Sequence, residues 1–242
     1  TRVLTSRIAY MIAQGVDPSR ILALTFTRKA ANEMKERIAS MVGERNARRI
    51  CMGTFHSVFV RFLRGYAGSL AFPSDFTIYD TSESQSLIKT IVKDMGLDEK
   101  SLYKPKDVLS RISMAKNNLV MPAAYRQDRE QMEADVRRRT PRIADIYSEY
   151  MVRCRKCGVM DFDDILVYMN VLFRDNVEAR EEIASRFDYI LVDEYQDTNR
   201  SQYLILRRLA GQHRNICVVG DDSQSIYAFR GAQIENIINF SK

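Results

Sequence analysis

The chain contains no tryptophan, only two histidines and only four cysteines in 242 residues. So few cysteines, with no secretory signal at the N-terminus, do not make a disulfide framework, and a reducing, cytoplasmic compartment is expected. The single CxxC, Cys154 to Cys157, has no second pair, and Cys51 and Cys217 sit in apolar runs. A zinc site of four converging ligands is therefore not expected. No apolar run approaches the roughly 18 residues of a membrane helix, which excludes a membrane-spanning role. Internal repeats and low-complexity segments are also missing, and so is an initiator methionine. The chain opens Thr1-Arg2-Val3-Leu4 directly in a helical pattern, which implies upstream sequence.

What is present is a globular composition. With 45% hydrophobic and 28% charged residues the chain is too apolar to be disordered and long enough for a sizeable core. At roughly 100–200 residues per domain it forms one large domain or two small ones. The net charge of +6 is unevenly spread. Residues 1–64 carry 12 basic against 4 acidic side chains, 65–100 carry 3 against 6, 101–160 carry 13 against 7, and 161–242 carry 9 against 14. Such alternation suits a polyanionic partner and equally a solvated basic surface, so charge alone assigns no ligand.

Apolar spacing predicts a helix over 2–13, closed by Gly15, then a turn at Asp17-Pro18-Ser19. Ile21 to Phe26 reads as a strand buried on both faces, followed by a helix over 28–42 that stops at Gly43. Ile50 to Phe55 repeats the pattern, with Val58, Phe59, Phe62 and Leu63 on one side of the next helix. From 78 to 160 the text reads helix after helix, with no strand and with Pro141 as a break. Buried-strand runs return at Tyr189 to Asp193 and Ile216 to Gly220, separated by a helix near 200–210. Strands alternating with helices predict a parallel α/β sheet, and the helical block reads as an insertion into it.

The run ending in Asp193-Glu194 places two carboxylates at the carboxyl edge of such a sheet, where open α/β sheets bind ligands. In a nucleotide hydrolase the first acid can hold the Mg²⁺ shell and the second can orient or deprotonate the attacking water. The longer string Asp193-Glu194-Tyr195-Gln196-Asp197-Thr198, followed by Gly220 to Ala232, resembles superfamily 1 DNA helicases of the UvrD/Rep/PcrA type. Leu24 to Met34 looks like that family's motif Ia and Gly53-Thr54-Phe55-His56-Ser57 like its motif Ib. Together with Asp161-Phe162-Asp163-Asp164, the resemblance covers essentially the whole chain.

The resemblance implies a P-loop NTPase (RecA-like) motor domain over 1–77 and 161–242, with an inserted all-helical subdomain over 78–160. It makes Asp193 the Mg²⁺-shell acid, Glu194 the catalytic base and Gln224 the γ-phosphate sensor, with Thr1 and Arg2 at the nucleotide and Thr1 also a metal ligand. Phe26, Tyr227 and Phe229 would touch unstacked bases, with Thr25, Thr27, Arg28, Thr54, His56 and Arg230 near the strand. An aromatic gives any base a π-face to stack on, and Arg and hydroxyl groups suit phosphates. Without the motif, a strand-end Phe26 reads as core, and Arg137-Arg138-Arg139 with Arg142 reads as a solvated face as readily as a duplex or phosphate patch.

The implied activity is an ATP- and Mg²⁺-dependent, 3′-to-5′ single-stranded DNA translocase and helicase. Its partners would be single-stranded DNA, single-strand/duplex junctions and a second motor domain of the same protein. Alternatives are the motor of a helicase–nuclease subunit and a non-hydrolysing single-strand-binding module. Where several members carry Trp in the Tyr-x-Trp-Arg-Gly string, this chain has Phe229. Members also place a Gly-rich phosphate loop ending Gly-Lys-Thr before the first helix, and here only the matching Thr1 is present. Residues 1–242 alone are therefore expected to show no ATP turnover above background in a steady-state phosphate-release assay. Turnover by a pure sample would overturn that expectation.

Overall fold

A computed structural model describes residues 2–211 and 213–221. The chain runs α1 (Arg2–Ala13), β1 (Ile21–Thr25), α2 (Arg28–Val42), α3 (Glu44–Arg49), β2 (Cys51–Thr54) and α4 (Phe55–Gly65). It continues through β3 (Thr77–Tyr79), α5 (Thr81–Asp94), α6 (Pro105–Asn117), α7 (Pro122–Gln127), α8 (Arg129–Arg137), α9 (Ile143–Lys156) and β4 (Val159–Asp161). Next come α10 (Phe162–Asp175), α11 (Val177–Ser185), β5 (Tyr189–Val192), α12 (Arg200–Leu209) and β6 (Ile216–Val218). The residues fall into two compact units, 63–168 and the remainder. No helix among the described residues is long and apolar enough to cross a membrane.

The first unit is built on a four-stranded sheet of order β2-β1-β5-β6. All three pairings are parallel, as the buried apolar runs predict. Ile21, Ala23 and Leu191 share one core with Leu4 and Ile8 of α1 and with Met34 and Ile38 of α2. Leu22 and Leu24 point to the opposite face because side chains alternate along a strand. The Thr27 side chain caps α2 by accepting from the Ala30 N–H, and Gly43 ends it at φ 81°. At the other end of the sheet sequence, Asn170 donates to the Ser201 carbonyl at 3.0 Å, which fastens α10 to α12.

The second unit has its own core, where Ile88, Ile91, Ile112, Ile146, Tyr147 and Tyr150 pack together from α5, α6 and α9. The stretch 78–160, read from sequence as free of strands, carries strands at its two margins: β3 pairs in parallel with β4. Each is three residues long, too short to display an alternating pattern.

The same unit contains a buried ion cluster. Lys116, 0% exposed, reaches Asp161 Oδ2 at 2.7 Å and Asp164 Oδ1 at 2.8 Å. Tyr150 donates its hydroxyl to Asp161 at 2.8 Å. The backbone N–H of Asp161 donates to the Asp164 carboxylate and the N–H of Asp164 returns a bond to Asp161, a reciprocal cap on α10. Burial alone would depress the Lys116 ammonium, but the two carboxylates outweigh it and hold it well above its usual range. Burial and the neighbouring Asp161 charge push Asp164 up to about 7. One ammonium thus serves two acids, and removing it leaves buried negative charge uncompensated. Lys116→Met should lower folding stability by about 3–5 kcal/mol at pH 8. Its orphaned carboxyls take folded-state pKa values above their unfolded ones, so the stability they contribute is present at low pH and lost as pH rises. Denaturant unfolding should therefore show a smaller penalty at pH 4–5 than at pH 8, and an equal loss at both would sink the assignment.

Candidate functional site at the carboxyl edge of the sheet

In the register of the sheet, Leu24 pairs with Gly53 on one side and Val192 on the other. Thr25, Thr54 and Asp193 consequently end up level with one another at the carboxyl edge. The Asp193 N–H donates to the Leu24 carbonyl at 2.9 Å, so the acid is anchored by its own backbone, and the residue is 1% exposed. Glu194 is half-buried and takes a left-handed conformation, φ 53° and ψ 41°, before the tight turn Tyr195–Asp197. For a residue with a Cβ that conformation costs roughly 1–2 kcal/mol, and backbone bonds on both sides hold it. Tyr195 donates its N–H to the Val219 carbonyl at 2.9 Å, and Val219 donates to Val192 at 2.8 Å.

Gln196 Nε2 donates to Glu194 Oε2 at 2.7 Å, while Gln196 Oε1 accepts the Asp221 N–H at 3.1 Å. Burial, and then the Glu194 charge, push the Asp197 carboxyl up. Its Oδ1 is buried without a hydrogen-bond partner among the described residues. Neither Gln196 nor Asp197 has a role assigned from sequence alone. Their signal was their place in the string that begins at Asp193.

The neighbouring strands supply a different chemistry. Phe26, half-buried just beyond β1, lies 5.2 Å from Phe55 between ring centroids at an interplanar angle of 55°. Phe55 contacts Phe59, Phe59 contacts Phe62, and Phe62 contacts Phe187, which precedes β5. This file of rings crosses the unit from the carboxyl edge of the sheet to its amino edge. Thr27 and Arg28 are exposed at the start of α2. The Thr54 hydroxyl oxygen accepts the Ser57 N–H at 3.2 Å and caps α4, whose first turn contains the half-buried His56. A Cβ at Gly53 would stand 2.6 Å from Ser57 Oγ and 3.3 Å from Val58 Cγ2, so a larger residue there would have to displace the Ser57 hydroxyl at the start of α4.

The sheet thus brings Thr25, Phe26, Thr54, Asp193 and Glu194 to one edge, flanked by Thr27, Arg28 and His56. Thr25, expected near the strand, is 1% exposed, and its hydroxyl has no partner among the described residues. It closes a strand buried on both faces. Arg2 is exposed at the start of α1. Thr1, Gln224, Tyr227, Phe229 and Arg230 lie outside the described residues.

Among the described residues no three His, Cys, Asp or Glu side chains converge as a metal cage. Mg²⁺ is a hard cation that keeps several waters and binds through one or two carboxylates together with substrate phosphates. The buried, oxygen-donating Asp193 fits such a role.

Residues 1–242 match the model of the UvrD/REP helicase N-terminal domain. The chain is 44% identical to an ATP-dependent DNA helicase PcrA of Bacillus subtilis, 42% to one of Staphylococcus aureus and 41% to one of Leuconostoc citreum. Each comparison covers 100% of this chain and 32% of the relative, so the chain spans about a third of the length of the curated relatives it matches. With the family match running from the first residue to the last, the chain belongs to the UvrD/REP helicase N-terminal domain family.

Proposed function

We propose that this chain is the first motor domain of an ATP-dependent DNA helicase that moves 3′-to-5′ along a single strand. In this reading residues 1–77 and 161–242 form the motor and 78–160 an inserted subdomain. The observation that carries it is the placement of an acidic pair, Asp193-Glu194, and an aromatic, Phe26, at the same edge of one parallel sheet. A nucleotide site and a base-stacking site on adjacent strands can act on one another through a few residues of backbone.

At the nucleotide, Asp193 would hold the Mg²⁺ that accompanies ATP, with Thr1, Arg2 and Gln224 contributing to the same site. The metal supplies neutralisation of phosphate charge when bound. Glu194 accepts a proton from the water that attacks the terminal phosphate, and its strained backbone sets where that carboxylate stands. At the strand, Phe26, Tyr227 and Phe229 stack on bases without regard to sequence, while Thr27, Arg28, Thr54, His56 and Arg230 serve the backbone. A second motor domain of the full-length protein completes the ATP site from the other side. Its opening and closing convert each hydrolysis into a step along the strand.

Two measurements on the full-length protein test the two halves of the site. ATP hydrolysis stimulated by an oligothymidylate should be lost in Glu194→Gln, a drop of about 10²–10⁴ in kcat as expected for removal of a general base. Hydrolysis that survives in this variant would remove Glu194 from that role. Single-strand affinity, read by fluorescence anisotropy, should weaken by about 1–3 kcal/mol in Phe26→Ala. An unchanged Kd would return Phe26 to the core.

A further inference from the structure

Gln196 is 1% exposed and sits in the turn directly after Glu194. A buried amide loses free energy unless its donors and acceptor are matched. This one divides them between two parts of the chain: Nε2 gives a 2.7 Å bond to the Glu194 carboxylate, and Oε1 takes the Asp221 N–H at 3.1 Å. The orientation of the amide is fixed by chemistry, since a carboxylate only accepts and a backbone N–H only donates. Asp197 carries the same charge as Glu194 and is itself pushed up by burial and by that charge.

Asp221 follows the strand β6, whose next residue, Val219, is bonded to both Val192 and Tyr195. It lies three residues before Gln224 and six before Tyr227 in sequence. One buried amide therefore joins the carboxylate assigned as hydrolytic base to the backbone that leads into the string Tyr227 to Arg230. We propose that Gln196 is a positioning residue that fixes the Glu194 carboxylate and makes its orientation depend on where the Gly220–Asp221 backbone stands, so that strand occupancy beyond Asp221 is transmitted to the base. The proposal rests on the functional reading above and deepens it. It assigns the coupling of DNA binding to hydrolysis to a side chain that touches neither ligand.

Two variants of the full-length protein test it, with hydrolysis measured with and without an oligothymidylate. Gln196→Met keeps the volume and length of the side chain but makes neither bond. In this variant kcat with DNA should fall about 10- to 100-fold, the usual effect of removing a group that orients an active-site ligand. KM for ATP and the thermal midpoint should stay unchanged, and the ratio of DNA-stimulated to basal rate should fall towards one. Gln196→Glu keeps the acceptor for Asp221 but sets a second carboxylate against Glu194. Like charges repel, so the Glu194 carboxylate loses its fixed position while the link to Asp221 is kept; kcat with DNA should again fall about 10- to 100-fold and the ratio of DNA-stimulated to basal rate should move towards one.

Wild-type stimulation ratios in both variants, with Glu194→Gln inactive, would overturn the proposal and leave the functional reading standing. An equal loss with and without DNA in Gln196→Met would also overturn the coupling. If Gln196→Met melts early, the stimulation ratio of Gln196→Glu decides by itself. Failure of the functional reading has a different signature: a wild-type protein that DNA does not stimulate and that Glu194→Gln leaves unchanged.

Discussion

The parallel register that sets Leu24 between Gly53 and Val192 is the constraint on which the rest of the first unit depends. Side chains alternate with period two, so a slip of one residue would exchange the faces of β1 and set Thr25, Thr54 and Asp193 out of line. The register is held by burial on both faces: Ile21 and Ala23 are committed to the core with α1 and α2, leaving Leu22 and Leu24 for the other side. The carboxyl edge inherits that rigidity. Asp193 is placed by a backbone bond to Leu24 before its side chain does anything.

Rigid placement is followed at once by strain. Glu194 departs from the strand in a conformation that side chains rarely adopt, and the bonds from Tyr195 and Val219 keep it there. The sheet therefore fixes the first acid of the pair and leaves the second on a turn, answerable to whatever holds the turn. In the function proposed above, Asp193 would share a cation with the substrate from that fixed position.

Much of this was legible in the amino-acid sequence, and the parts that were not share a cause. The strands β1, β2, β5 and β6 announce themselves as short apolar runs between turn residues, and α2 is bracketed by Thr27 and Gly43, which do in the structure what their chemistry suggests. The acidic pair was legible because it terminates such a run. β3 and β4 were not, since three residues give no period and their partners lie far apart in sequence. Lys116 was equally silent: nothing local to it signals that Asp161 and Asp164 will be brought to it. Gln196 and the burial of Thr25 belong with them. Long-range pairing decides both, and a motif string states only which residues are adjacent.

In the function proposed above, the file of rings from Phe26 to Phe187 would stiffen the surface on which a base stacks. A lone aromatic at a surface must surrender rotamer freedom when a base settles on it, and that loss subtracts from the contact. Phe26 has already surrendered much of its freedom to Phe55, itself wedged by Phe59, so a base arriving there meets a platform whose entropy was spent during folding. The same wedge makes Phe26 poor at adjusting to a misplaced base. On the proposed function, such a stiff platform would favour discrete steps over sliding.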